Sequence, residues 1–139
     1  MVTYGYLKSE YANYFADLTG DGVITDNSNL VPRNTPENTF GITTSYTTQI
    51  GNGELKGRVS YRFRDEMESE SQNRPEGSLD SIENVNATIS YSVENYSITA
   101  WGRNLTDERE QRWSTIVGLT SRGWWNEPQT LGVTFKVSY

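Results

Sequence analysis

The chain has 139 residues with 18 acidic and 12 basic side chains, a net charge of −6, and neither histidine nor cysteine. One ordinary domain accounts for that length, and the acidic balance argues against a nucleic-acid partner. Disulfides, thiolate metal sites, cysteine nucleophiles and histidine bases are excluded, and no run approaches the roughly 20 apolar residues of a membrane-crossing helix.

Alternation of apolar and polar residues, the signature of strands with one greasy face, organises the rest. Residues 2–11 are rich in tyrosine, lack a helical period and read as a first strand, with Tyr4 and Tyr6 on one face. Residues 12–38 carry Gly20, Gly22, Pro32 and Pro36 and read as a long loop. Within it, Asp17, Thr19, Asp21 and Asp26 with Gly22 match the first half of a calcium loop. Ser28 stands where a bidentate glutamate is needed, and no helices flank the segment. An Asx-rich turn whose carboxylates cap their own backbone is the alternative.

From Thr39 to Ile50 the alternation is clean, with Phe40, Ile42, Tyr46 and Ile50 on one face. Gly51-Asn52-Gly53 then predicts a tight turn. The return strand, 55–63, sets Leu55, Val59, Tyr61 and Phe63 against Lys56, Arg58, Ser60, Arg62 and Arg64. A charged loop follows over 65–79. The next strand pairs Val85, Ala87, Ile89, Tyr91 and Val93 on one face, Glu94-Asn95 turns the chain, and Tyr96, Ile98, Ala100 and Gly102 continue on strand 96–103. A third long loop, 105–128, contains Trp113, Trp124 and Trp125. The closing strand, 131–139, alternates without a fault: Leu131, Val133, Phe135, Val137 and Tyr139 against Gly132, Thr134, Lys136 and Ser138.

The connections run long, tight, long, tight, long. This predicts an all-β, antiparallel up-and-down meander of about six strands, with long loops at one rim and short turns at the other, the asymmetry of outer-membrane barrels. Tyr61, Phe63, Tyr91, Tyr96 and Tyr139 fall near strand ends, where an aromatic girdle would lie. A soluble all-β binding module, with calcium as its cofactor, is the rival. No catalytic residues are expected: the adjacent acids Asp65 and Glu66 point to opposite faces of a strand and cannot flank one bond. Asn86, Asn95 and Asn104 begin glycosylation-type triplets that lie in or beside strands and read as chance. No apolar leader follows Met1, so the expectation is either a cytoplasmic protein or the tail of a longer chain.

The segment Trp101-Gly102-Arg103-Asn104-Leu105-Thr106-Asp107-Glu108-Arg109 resembles a strand followed by the N-L-x-D signature near the C-terminus of TonB-dependent outer-membrane receptors. Glu127-Pro128-Gln129-Thr130-Leu131-Gly132-Val133-Thr134-Phe135 is similar to that family's E-P-R-T-x-G-V approach to the last strand, with Gln129 in place of arginine. Tyr139 stands where phenylalanine is commoner, and Val31-Pro32-Arg33-Asn34-Thr35-Pro36 looks like a strand approach in the same receptors. The resemblance implies a transmembrane barrel of about 22 strands around an N-terminal plug, so that residues 1–139 are a C-terminal barrel fragment without the plug.

It implies, further, uptake of a scarce nutrient (iron chelate, cobalamin or oligosaccharide) in the bacterial outer membrane, with lipid as solvent. Energy would come from the TonB complex through the missing N-terminal part. Phe135, Val137 and Tyr139 would be the signal read by the barrel assembly machinery. Arg58, Arg62, Arg64, Arg103 and Lys136 would face the lumen, toward plug, anionic chelate or lumenal acids. Trp113, Trp124 and Trp125 would stack on a ligand or pack their own loop.

Overall fold

The computed structural model describes residues 1–109, 111–117 and 120–138. Six strands form one antiparallel sheet: β1 (Val2–Tyr6), β4 (Asn38–Ile50), β5 (Gly53–Arg64), β8 (Ile82–Val93), β9 (Tyr96–Arg103) and β12 (Thr130–Val137). They lie side by side in that order, each bonded to its neighbour in the chain's own sequence of long strands. The expected all-β meander is therefore present. Its two tight turns are Gly51-Asn52 and Glu94-Asn95, with Gly51 at φ 60° and Glu94 at φ 49°. Both turns sit at the far end from the three long connections.

The first strand is shorter than its sequence pattern predicts. It ends at Tyr6, after which only the Leu7 N–H still reaches across, to the Glu37 carbonyl at 2.9 Å. The alternation fades after Leu7, and the strand stops there. The three long connections also hold more order than loop chemistry suggests. The first contains β2 (Phe15–Ala16) paired with β3 (Thr25–Asp26), and the second β6 (Met67–Glu68) paired with β7 (Ser78–Leu79) around a single 3-10 turn at Pro75–Gly77. The third, read as a loop, contains a hairpin of β10 (Gln111–Val117) and β11 (Thr120–Trp125). The period-2 signal there is masked by arginines and tryptophans that do not sort into an apolar and a polar face.

Register fixes which side chains share a face. On one side the rows across the sheet run Thr44, Val59, Ala87, Gly102, Leu131 and then Tyr46, Gly57, Ile89, Ala100, Val133. The other side reads Ser45, Arg58, Thr88, Trp101, Gly132. Gly132 is required where it stands: a Cβ there would run into the Trp101 ring, which lies across it and donates its indole N–H to the Thr134 hydroxyl at 3.2 Å.

Among the described residues, no second layer covers the apolar side. Leu131, Val133 and Phe135 are 67%, 69% and 65% exposed, and among the described residues Leu79 is the only buried hydrophobic side chain. A sheet this apolar on one face, in water, would expose far more greasy area than a soluble monomer carries. The apolar rows run from Phe40 to Ile50, ten residue steps, which at ~3.4 Å per step and a barrel tilt of ~40° give ~26 Å, close to the ~25 Å apolar band of outer-membrane barrels. Aromatics mark both ends of that span. Phe40 and Tyr61 pack at 6.0 Å near the long loops, and Tyr96 and Phe135 stack at 6.2 Å near the tight turns.

The buried residues lie almost wholly at the long-loop end. Ser69 donates its hydroxyl to the carbonyls of Gly77 (2.6 Å) and Ser114 (2.9 Å), and Ser114 donates to Glu76 (2.8 Å), which joins the second loop to the hairpin. Asn73 bonds both backbone groups of Val31, and Gln72 donates to the Leu18 carbonyl, which joins the first loop to the second.

Candidate functional site

Two features at the long-loop end are built by residues far apart in sequence. The first is a knot around Asn104, which is 4% exposed and holds a left-handed backbone at φ 48°. Asparagine tolerates that conformation better than most residues. Its amide donates to the carbonyls of Glu108 and Glu127, each at 3.0 Å, so one side chain clasps both ends of the third connection. Its oxygen accepts from Thr106 (3.1 Å) and Asn84 (3.3 Å), and its own N–H donates to Asn86. Asp107, also left-handed at φ 52°, accepts from the Gln129 N–H at 3.0 Å. The N-L-x-D segment is thus the staple at the base of the β10–β11 hairpin.

The second is a recess of about 610 Å³ between the polar face of the sheet and that hairpin, lined by Thr3, Gly41, Arg62, Arg64, Asn84 and Arg112 among others. Arg62 and Arg64 arrive by alternation on β5. Arg112 arrives by a different route: the β10–β11 register slips between Gln111 and Trp113, so Arg112 is the extra residue of a bulge. Bulges re-aim side chains in this way. Arg64 is anchored by the carbonyls of Asp65 (2.8 Å) and Asp80 (3.1 Å). Among the described residues, no carboxylate lies within ion-pairing distance of Arg62 or Arg112. Alternation could find Arg62 and Arg64; nothing in the sequence pattern pointed to Arg112.

The other expected lumenal bases share the polar face but not the recess. Arg103 lies over the Trp101 ring at 5.4 Å, in cation–π range. Arg58 is opposite Thr88, and Lys136 opposite Ser97 at the tight-turn end. Of the tryptophans, Trp113 and Trp124 sit across the hairpin with ring centroids 5.7 Å apart. All three remain open to solvent, Trp124 most at 74%. They lie on hairpin strands rather than in an irregular loop. Phe135 and Val137 lie on β12 where alternation put them; Tyr139 lies outside the described residues.

The Asp17–Asp26 segment is organised by its own backbone. Asp17 Oδ1 accepts from Gly20 N–H at 2.7 Å and Oδ2 from Gly22 N–H at 2.8 Å, and the hydrogen bonds from Gly22 and Gly20 hold its carboxyl below the ordinary 3.8. Asp21 caps Val23, and Asp26 caps Ser28. These are the contacts of an Asx turn. Thr19 Oγ1 also turns inward, onto Asp17.

No protein-family profile and no curated protein sequence matches the chain. Its fold is similar to that of the ferric yersiniabactin uptake receptor FyuA from Yersinia pestis, with a TM-score of 0.73 at 13% identity, covering 84% of this chain. The chain spans 19% of that receptor's length, and what the likeness shows is the fold: an antiparallel meander of the kind found in that receptor.

Proposed function

We propose that the chain is a segment of the barrel wall of a TonB-dependent outer-membrane receptor, a non-enzymatic protein for uptake of a scarce nutrient such as an iron chelate, cobalamin or an oligosaccharide. The observation that carries this is the apolar face: six adjoining strands present it, and no layer of the described residues covers it. The likeness to a receptor that takes up an iron chelate supports it, as does the separation of tight turns and long loops to opposite ends.

In this reading the apolar rows meet lipid and the polar rows face the lumen. The outer sides of β1 and β12 then pair with further strands, because unpaired backbone groups have no partner in a bilayer. Phe135 and Val137, with Tyr139, serve as the assembly signal. Trp113, Trp124 and Trp125 stand at the outer mouth to stack on a ligand, and energy comes from the TonB complex through a plug.

Fractionation of cells expressing the reading frame that contains this chain tests the proposal. The protein is expected in the outer membrane, released by detergent and not by salt or alkali. A cooperatively folding monomer in plain buffer would defeat it.

A further inference from the structure

The recess between β5 and the bulged hairpin gathers three of the chain's twelve basic residues into one pocket of an otherwise acidic protein. Like charges at such separations repel, and a cluster of them is stabilised by an anion. Three features make the recess more than a solvated basic face. Arg62 and Arg112 have neither an ion pair nor a hydrogen bond with any described residue, so their donors are uncommitted. Arg64 is held in place by the Asp65 and Asp80 carbonyls. The nearest acid on β8, Glu83, sits at a register position opposite Phe63, on the other face of the sheet, while the polar-face position opposite Arg62 is the neutral Asn84. Asp65, the residue just after β5, spends one carboxylate oxygen on the Asn38 N–H (2.9 Å) and side-chain amide (2.7 Å).

We infer that this recess binds a small polyanion, a ligand bearing two or more carboxylate or phosphate groups, with Arg62 from the wall and Arg112 from the hairpin as its two charge-bearing contacts. The inference rests on the receptor reading and narrows it from nutrients in general to anionic ones. Guanidinium groups suit the role because each offers a planar pair of donors to a carboxylate or phosphate. One contact belongs to the sheet and the other to the hairpin, so a bridging ligand also draws the hairpin onto the wall. The same carboxylate chemistry could come from an acidic side chain elsewhere in the full-length protein, and the experiment separates the two sources.

Protein purified in detergent from the full reading frame is titrated with citrate and with inorganic pyrophosphate by equilibrium dialysis. Maltotriose serves as a neutral probe. Saturable binding of at least one anion, weakened by salt and absent for maltotriose, is expected. Arg62→Gln and Arg112→Gln should each weaken it about tenfold. Lys56→Gln makes the same charge change six residues along the same strand face, about 20 Å away, and should leave binding unchanged. Failure of both anions to bind the wild type overturns the inference. So does a drop in melting temperature in both arginine variants without anion binding, the mark of an internal acidic partner. Recovery of the protein from the soluble fraction would defeat the receptor reading alone, and the same titration would still judge the recess.

Discussion

Ile89, on the inner strand β8 of the sheet, is 52% exposed, whereas Leu79, in a two-residue strand of a surface connection, is 2% exposed. In a water-soluble domain the positions would be reversed: sheet centre buried, connection exposed. Here the sheet holds its strands by backbone ladders and leaves its apolar side chains to the surroundings. The long-loop end holds itself by side chains: Ser69, Ser114 and Asn73 donate to carbonyls of other loops, and Asn104 donates to carbonyls at both ends of its own. The wall thus depends on its solvent, and the loop end depends on its own polar contacts. The recess sits where the two regimes meet.

The largest break in that comparison comes from Val133→Arg. At the centre of the proposed lipid-facing band an arginine costs about 2–4 kcal/mol, read as a loss of unfolding free energy in lipid vesicles. Thr134→Arg, one residue on and facing the polar side, should cost no more than the lost hydrogen bond from Trp101, about 1 kcal/mol. Equal effects at the two positions would mean that both faces meet water.

Asn104→Gly acts on the other region. Glycine keeps the left-handed backbone without strain but removes the clasp on the Glu108 and Glu127 carbonyls, at a cost of about 1–2 kcal/mol. Hydrogen exchange should quicken across residues 105–129 while β4 and β5 stay protected. Uniform loss of protection would show that wall and loop end unfold as one unit.

The smallest effect is the acid response of the first loop. The Asp17 carboxyl is held below 3.8 by the N–H groups of Gly22 and Gly20. A depressed folded-state value contributes order that is present above pH 3.8 and lost as pH falls through the lower, folded value. The Gly20 and Gly22 amide resonances should therefore hold steady down to pH 3.8 and move only below it, with the sheet unchanged. A transition at or above 3.8 would show that the Asx turn does not hold the carboxylate.

Legibility in the sequence followed the range of the interactions. Alternation located all six long strands, because an uncovered sheet face imposes a strict period of two on the residues themselves. Gly51 and Glu94-Asn95 located the turns for a reason equally local. The β10–β11 hairpin escaped because neither of its faces is uniformly apolar, and the short pairs β2–β3 and β6–β7 escaped because two residues carry no period. On the polar face, alternation found Arg62 and Arg64 yet could not rank them above Arg58, Arg103 or Lys136. Arg112 needed a register slip to reach them.

By itself, then, the sequence determined the six strands of the main sheet, its tight turns and which residues share a face, since each of these is set by neighbours one or two positions apart. Only the tertiary structure decided that Asn104 clasps both ends of the hairpin connection and that Arg62, Arg64 and Arg112 line one recess. Each depends on residues far apart in the chain, Asn104 with Glu127 and Arg62 with Arg112, and the backbone register that brings them together is a property of the assembled sheet.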